Sequence, residues 1–420
     1  MVNKNTYHRT KKQRVVAVIL AAVVIGIISA LIADTLKVVT EHYEHLLAGK
    51  AADHKYLLFL FPAAGFVIIH LLRELLLRNK PNKGIREVMD ALEKKGKALP
   101  AYKIPSHYFN GFLTVIFGGS TGIEVSTVVA TAALGGLPER KAGFLKNHRA
   151  DLTCAGLAAG VTALFNAPLA GLFFALEVFL KKRSKLYIAC LVAAVTSSHL
   201  VTKYFFYVPV FHFKVLFWRY EALPFFVLVG VFAGINAVYL SKSVIGVKQL
   251  FAKAASLPRQ ILYGSLAVSV LLFFSPTLYG EGYAGINQIA GINSISGLSM
   301  ILPLLAAMLL KPIATSATLG VGGDGGVFAP SLFIGAFLGL ISALTLNYFF
   351  HLDLMPVNFI LIGMAAVLSG CIHAPFTAVF LTCAIADNFV LLLPLLLACF
   401  ISKFVAKLIF RDNVYTYGRS

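Results

Sequence analysis

The feature that most restricts the fold of this chain is a succession of apolar stretches about as long as a bilayer is thick. Uninterrupted stretches cover residues 15–33, 56–77, 186–206, 224–240 and 261–274, approaching the ~20 residues a helix needs to cross the hydrocarbon core. Others, at 112–137, 152–180, 301–320, 327–346 and 359–397, are shorter or broken by Gly and Pro. Lipid cannot satisfy the backbone N–H and C=O groups that such breaks release. The breaks therefore belong where backbone lines a cavity or is enclosed by protein. This predicts an all-α integral membrane chain of many tilted and partial helices. Composition agrees: 58% of the 420 residues are hydrophobic and 13% charged, against roughly a quarter charged in a soluble domain. Too few charges remain to cover a soluble surface, which argues against a soluble enzyme.

The 37 Lys and Arg outnumber the 18 Asp and Glu, and they cluster between apolar runs. Lys4, Arg9, Lys11, Lys12 and Arg14 precede the first run; Lys181, Lys182, Arg183 and Lys185 follow residue 180. Lys242, Lys248, Lys253 and Arg259 form a third group, and Lys403, Lys407, Arg411 and Arg419 close the chain. The positive-inside rule expects this of cytoplasmic loops. It predicts a multi-pass cell-membrane protein with both termini cytoplasmic and no nucleic-acid partner. The implied organisation is a basic N-terminus (1–14), a transmembrane domain (15–410) and a short tail (411–420). Cys154, Cys190, Cys371, Cys383 and Cys399 lie in apolar segments without paired spacing and read as small buried hydrophobes, not as a disulfide frame or metal site.

The chain also resembles itself. Gly122-Ile-Glu-Val-Ser-Thr127 is echoed by Gly326-Val-Phe-Ala-Pro-Ser331. At nearly the same offset Gly156, Ala158, Ala159, Ala167, Pro168 and Phe173 match Gly363, Ala365, Ala366, Ala374, Pro375 and Phe380. Two related halves, about 56–206 and 224–407, are expected. Interrupted helices in corresponding places point to a transport site at the membrane midplane.

Several motifs have plainer readings. Gly118-Gly-Ser-Thr-Gly122 satisfies a nucleophile-elbow pattern, but that motif needs a strand before it; within a membrane helix it reads as close packing of the G-x-x-x-G kind. Gly320-Val-Gly-Gly-Asp-Gly325 fits a dinucleotide pattern with no βαβ unit around it. Its glycines can still leave N–H groups open to an anion. His42 and His45, flanked by Glu41 and Glu44, read as a solvated polar loop after the first span. No catalytic constellation, metal site or cofactor site is found.

Ionisable residues inside spans are costly and default to function. Glu124, among small residues at a helix start, is favoured there by the helix dipole and competes for the amides an anion would use, so it is a candidate gate. Glu177 reads as an ion-pair partner of the basic cluster at 181–183, Lys311 as an internal structural partner, and Asp387-Asn388 as the N-cap of the last span. His373, paired with Asn166 in the repeat, reads as a buried hydrogen-bonding group.

Phe165-Asn-Ala-Pro-Leu-Ala-Gly171, ending in Glu177, resembles the strongest signature of the CLC family of chloride channels and proton/chloride exchangers. Gly326-Val-Phe-Ala-Pro330 is similar to that family's G-x-F-x-P motif, and Ile372-His-Ala-Pro-Phe-Thr377 to its second-half element. Asn413-Val-Tyr415 sits where the family's pore tyrosine lies. The resemblance covers essentially the whole chain. It implies a CLC-like fold in two inverted-topology repeats, a homodimer in the lipid bilayer, and chloride or a similar small anion as cargo. It further implies Glu124 as the gate, anion contacts from the amides of Glu124, Val125, Val327 and Phe328, and a phenolic contact from Tyr415. No cytoplasmic regulatory domain is expected after the tyrosine.

Three departures qualify the expectation. The gating stretch reads Gly122-Ile123-Glu124-Val125-Ser126, where the family usually has G-R/K-E-G-P. The first pore motif falls on Asn82-Lys83-Gly84-Ile85-Arg86, adding Lys83, Gly84 and Ile85 to the anion-contact set and placing an ammonium where a pore serine would sit. Val178 follows Glu177, and Ala384 precedes the Asp-Asn pair, where proton-coupled members carry acids. A buried proton path needs a titratable stepping stone, so a passive channel is expected ahead of a proton/anion antiporter of the same family. An unrelated sodium- or proton-coupled secondary transporter is the alternative from another class.

Overall fold

The computed structural model describes residues 4–75, 82–93, 98–140, 143–179, 184–211, 213, 215–253, 256–294 and 297–418. Lys181, Lys182, Arg183 and Arg419 lie outside the described residues, and with them the ion-pair partners expected for Glu177. The described residues form sixteen α-helices and no strand. In chain order these are α1 (Lys4–Asp53), α2 (Leu57–Leu75), α3 (Ile85–Leu92), α4 (Lys103–Ile116), α5 (Glu124–Gly136), α6 (Arg149–Phe165), α7 (Pro168–Phe174) and α8 (Lys185–Val201). There follow α9 (Leu223–Lys253), α10 (Leu257–Phe274), α11 (Tyr283–Ile289), α12 (Ile301–Gly320), α13 (Phe328–Phe350), α14 (Pro356–Ile372), α15 (Pro375–Ile385) and α16 (Leu392–Ile409).

Eight helices are long and apolar enough to cross a bilayer. The others are too short: the 13 residues of α5 rise only about 20 Å. Where an apolar stretch contains a Gly or Pro break, the chain makes two short helices instead of one span. Stretch 152–180 becomes α6 and α7, and 359–397 becomes α14, α15 and the start of α16. Both breaks use one device. Asn166 (φ 49°) and His373 (φ 58°) end their helices in the left-handed conformation, Ala167 and Ala374 repeat each other's backbone angles, and Pro168 and Pro375 start the next helix. Proline suits that first position because its missing N–H is unbonded there in any case.

The chain divides into two compact units, 1–37 with 83–108 and 127–208, and 38–82 with 109–126 and 209–420. In the first, Val18, Ala22 and Ile25 of α1 pack with Leu152, Ala155 and Ala159 of α6 and Cys190 and Ala194 of α8. Small residues let these backbones approach closely, as membrane helices prefer, and the Asp34 carboxylate accepts the Thr202 hydroxyl at 2.8 Å. In the second unit, α13 is apolar all round and buried along most of its length, as a central helix must be. A Cβ on Gly363 would lie 2.0 Å from the Gly335 carbonyl oxygen, so α13 and α14 touch backbone to backbone. α14 is then backed by α16, whose Cys399 carbonyl accepts the Ser369 hydroxyl at 2.8 Å.

Four local expectations change. α1 runs unbroken to Asp53, so His42 and His45 sit on a helix, not in a polar loop. Helix continues because nothing between residues 34 and 53 breaks it: its one glycine, Gly49, is a weak breaker, and there is no proline. Gly118 (φ 83°) lies in the turn between α4 and α5, so Gly118–Gly122 is not a helix-packing stripe. Asn388 does not cap α16, whose N-cap is Leu391 with no side-chain cap. It closes a local turn instead, its Oδ1 accepting the Val390 amide at 2.7 Å. The basic N-terminus is not a separate segment either: α1 begins at Lys4.

Candidate functional site

The second unit brings two helix starts together. The Gly326 amide donates to the Gly122 carbonyl at 3.3 Å, the two residues forming an antiparallel bridge. The Thr121 hydroxyl donates to the Gly326 carbonyl at 2.8 Å. The preceding turn is pinned as well, because the Ser120 hydroxyl donates to the Leu278 carbonyl at 2.7 Å and its amide to Thr318 Oγ1 at 3.0 Å. Glycine is required in this pairing: a Cβ on Gly326 would lie 2.1 Å from Val125 Cγ2. The result holds the first turns of α5 and α13 side by side, starting at Glu124 and Phe328. Each helix start carries about half a positive charge on unbonded N–H groups.

Glu124 is folded back onto these ends. It is 2% exposed, and its Oε1 accepts the Tyr283 hydroxyl at 2.5 Å. Its Oε2 rests against Gly122 so closely that a Cβ there would overlap it. The carboxyl group lies by the amides of Glu124 itself and Ala329, and Oε2 makes no hydrogen bond of ordinary geometry. The carboxylate thus sits at the paired helix starts. Tyr283 is held in place by an edge-on contact with Phe211, ring centres 5.1 Å apart.

Tyr415 follows α16. Asn413 places it, donating from Nδ2 to the Ile372 carbonyl at 3.1 Å and accepting the Tyr415 amide on Oδ1 at 2.9 Å. Tyr415 is 5% exposed, and its hydroxyl has no hydrogen-bond partner among the described residues. Burial pushes its phenol well above the usual range, with the Glu124 charge acting the same way, so the group stays an O–H donor. Val125, Val327 and Phe328 are buried at the paired helix starts.

The remaining expected contacts lie in the first unit. Lys83 is exposed, Gly84 (φ 63°) caps α3, and Ile85 is the buried first residue of that helix. Nearby in the same unit, Glu87 accepts from Lys103 Nζ at 2.7 Å and is hydrogen-bonded to His107 Nε2 at 3.0 Å.

The sequence reading missed Tyr283, Glu281 and Glu44. Glu281 Oε1 accepts the amide of Ile123, the residue before Glu124, at 3.0 Å, and Glu44 Oε1 accepts the Glu281 amide at 3.1 Å. Lys311, fully buried, donates to the carbonyls of Gly280 and Leu278 at 3.1 and 3.3 Å. The only available signal was the sequence Gly280-Glu-Gly-Tyr283, an acid between two glycines beside an apolar helix.

Two helix starts paired side by side, with eight candidate spans among the described residues, fit a membrane protein that handles anions. The family model described as voltage gated chloride channel matches residues 64–407, and the chain belongs to that family, the CLC proteins. It is 29% identical over 367 residues to a ClcB-like chloride channel protein of Ralstonia nicotianae, covering 85% of this chain and 84% of the relative. It is 25% identical over 335 residues to the voltage-gated ClC-type chloride channel ClcB of Escherichia coli, covering 78% of each. Among solved structures, a slow cyanobacterial Cl⁻/H⁺ antiporter superposes with a TM-score of 0.82 at 22% identity, over 95% of this chain and 96% of that one. A CLC-type fluoride/proton antiporter gives 0.75 at 20%, over 95% and 97%. These place the fold as CLC, an all-α membrane architecture, and the function as CLC-type anion transport.

Proposed function

We propose that this chain is a passive pathway for chloride or a similar small inorganic anion, gated by Glu124. The observation that carries the proposal is the position of the Glu124 carboxylate, on the paired starts of α5 and α13, with one oxygen free of ordinary hydrogen bonds. A carboxylate and an anion about 4 Å apart repel by about 4 kcal/mol at the effective dielectric of a protein, so the two exclude each other. Protonation of Glu124 removes the charge that holds it against the amides, and the anion takes its place. Helix ends bind the anion with partial charges and no buried full cation, which lets it leave again. The Tyr415 hydroxyl, together with the amides of Val125, Val327 and Phe328, supplies further donors. No acid follows Glu177, where a proton would need its inner stepping stone.

The same reading includes a homodimer in the cell membrane, both chain ends cytoplasmic, and two inverted repeats. The matched backbone at Asn166-Ala-Pro168 and His373-Ala-Pro375 supports the repeats.

A proton-coupled antiporter is the second reading, because two structurally similar proteins are described as antiporters. Reconstitution under a chloride gradient, with anion and proton electrodes read together, separates the two. Passive conduction gives no proton movement against its gradient, whereas stoichiometric uphill proton flux would overturn the channel reading. Glu124→Gln is expected to raise flux at neutral pH and flatten its rise with acid; an unchanged profile removes Glu124 from the gate.

A further inference from the structure

Beside Glu124 lies a second set of charges that anion conduction by itself does not use. Glu281 sits in the connector between α10 and α11, Glu44 on α1 and Lys311 on α12; Glu281 and Lys311 are buried and Glu44 is partly buried. The groups facing Glu281 are Glu41 and Glu44 from α1, Glu124 from α5 and Tyr283 from α11; Tyr279 from the connector faces Glu44, and Lys311 from α12 faces Glu44, Glu124 and Glu281. The bonding is directional. The Ile123 amide donates to Glu281, and the Glu281 amide donates to Glu44. Lys311 spends its protons on the Gly280 and Leu278 carbonyls and lies 5.0 Å over the Phe333 ring, so it forms no direct ion pair that would tie it to one acid.

We propose that Glu281, with Glu44 and Lys311, is a positioning set for the gate: it fixes the turn before α5 through the Ile123 amide and sets the acidity at which Glu124 leaves its seat. Glu281 takes up an N–H at the start of α5 that would otherwise be open to an anion or to Glu124, so the gate residue is confined to the inner amides. Charge counting gives the second half. With Glu124 and Glu281 both ionised around one ammonium, a negative charge would stand uncompensated away from water, and the partly buried Glu44 would add a second beside it, which such a site does not tolerate. The carboxyls therefore hold protons in common, and the acidity that frees Glu124 belongs to the group. Burial pushes the Glu281 carboxyl well up, and the Glu124 and Glu44 charges push it further.

The inference rests on Glu124 being the gate, and the test keeps the two apart. Anion flux from proteoliposomes is followed against external pH for the parent, Glu124→Gln, Glu281→Gln, Glu44→Gln and Lys311→Met. Glutamine keeps the acceptor oxygen for the Ile123 or Glu281 amide, so the turn is retained while the charge is lost. Glu281→Gln and Glu44→Gln are each expected to move half-maximal activation to lower pH by about one unit, roughly tenfold in proton concentration. Lys311→Met is expected to move it to higher pH; if that variant does not fold, the two glutamine variants decide alone. Shifts of opposite sign for lost acids and a lost base are not produced by loosened packing. Activation unmoved or raised in Glu281→Gln, while Glu124→Gln abolishes pH dependence, overturns this inference and leaves the gate standing. PH dependence surviving in Glu124→Gln overturns both.

Discussion

Among the described residues the Tyr283 hydroxyl is the one side-chain donor to Glu124 in its buried seat, at 2.5 Å from Oε1. Tyr283→Phe removes that donor and little else, because the ring's edge-on contact with Phe211 survives. The seated carboxylate then keeps a buried oxygen without its partner. Losing a hydrogen bond to a charged group costs about 1.5–3 kcal/mol, and the cost falls on the seated state only, since a displaced Glu124 no longer uses the bond. Each 1.4 kcal/mol is tenfold in an equilibrium, so the ratio of open to closed gate rises about 10- to 100-fold. While the open fraction is small, flux rises in proportion. The assay is initial chloride efflux from proteoliposomes at neutral pH, with valinomycin clamping the potential and the reconstituted protein quantified. A double variant sharpens it: in a Glu124→Gln background the tyrosine no longer restrains a charge, so Tyr283→Phe should add nothing further. An unchanged or lower rate in the single variant would refute the reasoning. A full additional increase in the double variant would show that Tyr283 acts elsewhere.

Tyr415→Phe deletes the unpartnered hydroxyl and should weaken chloride binding about fivefold, near 1 kcal/mol, as read by titration calorimetry, with the acid dependence of flux unchanged. Asn413→Ala should give a similar loss without touching the anion, because both bonds that place Tyr415 go with it. Gly363→Ala drives a Cβ into the Gly335 carbonyl; a stability loss of about 1–3 kcal/mol should appear as a lower midpoint in heated detergent samples monitored by size exclusion. Lys83 is exposed, so Lys83→Met should slow flux at low ionic strength and converge with the parent when gluconate salt is added at fixed chloride.

Much of the fold was legible because lipid imposes a length and punishes broken backbone. The limits of α2, α8, α10, α12 and α13 fall within a few residues of the apolar stretches. The Pro and Gly breaks marked real helix ends at Asn166 and His373. α1 and α9 were read short for one reason: hydropathy falls before helix does. The last twenty residues of α1 are polar enough to look like a loop, yet no residue in them halts a helix, and Glu41, His42, Glu44 and His45 continue it. The turn at Gly118–Gly122 was misread in the opposite direction, because glycines spaced for helix packing also serve a turn with positive φ.

The site was legible only where one side chain carried it. Glu124 and Tyr415 announced themselves, since a carboxylate or a terminal phenol in apolar surroundings has few other reasons to be there. The binding surface proposed here is backbone. Amides at the starts of α5 and α13 have no sequence identity beyond the glycines that let them approach, so family resemblance had to supply their positions. The partners of Glu124 were hidden by separation: Tyr283 lies 159 positions away along the chain, and nothing local marks it as a hydroxyl aimed at a gate. Glu44 was concealed by its setting, in a run of acids and histidines that normally reads as solvated. What distinguishes it is the Glu281 amide it accepts at 3.1 Å, a property of the assembled unit. A membrane protein can hold an acid there only if a cation or a proton accompanies it. With one lysine for two buried carboxyls and a partly buried third, protons make up the difference, and that shortage of positive charge is what would tie the proposed gate to pH.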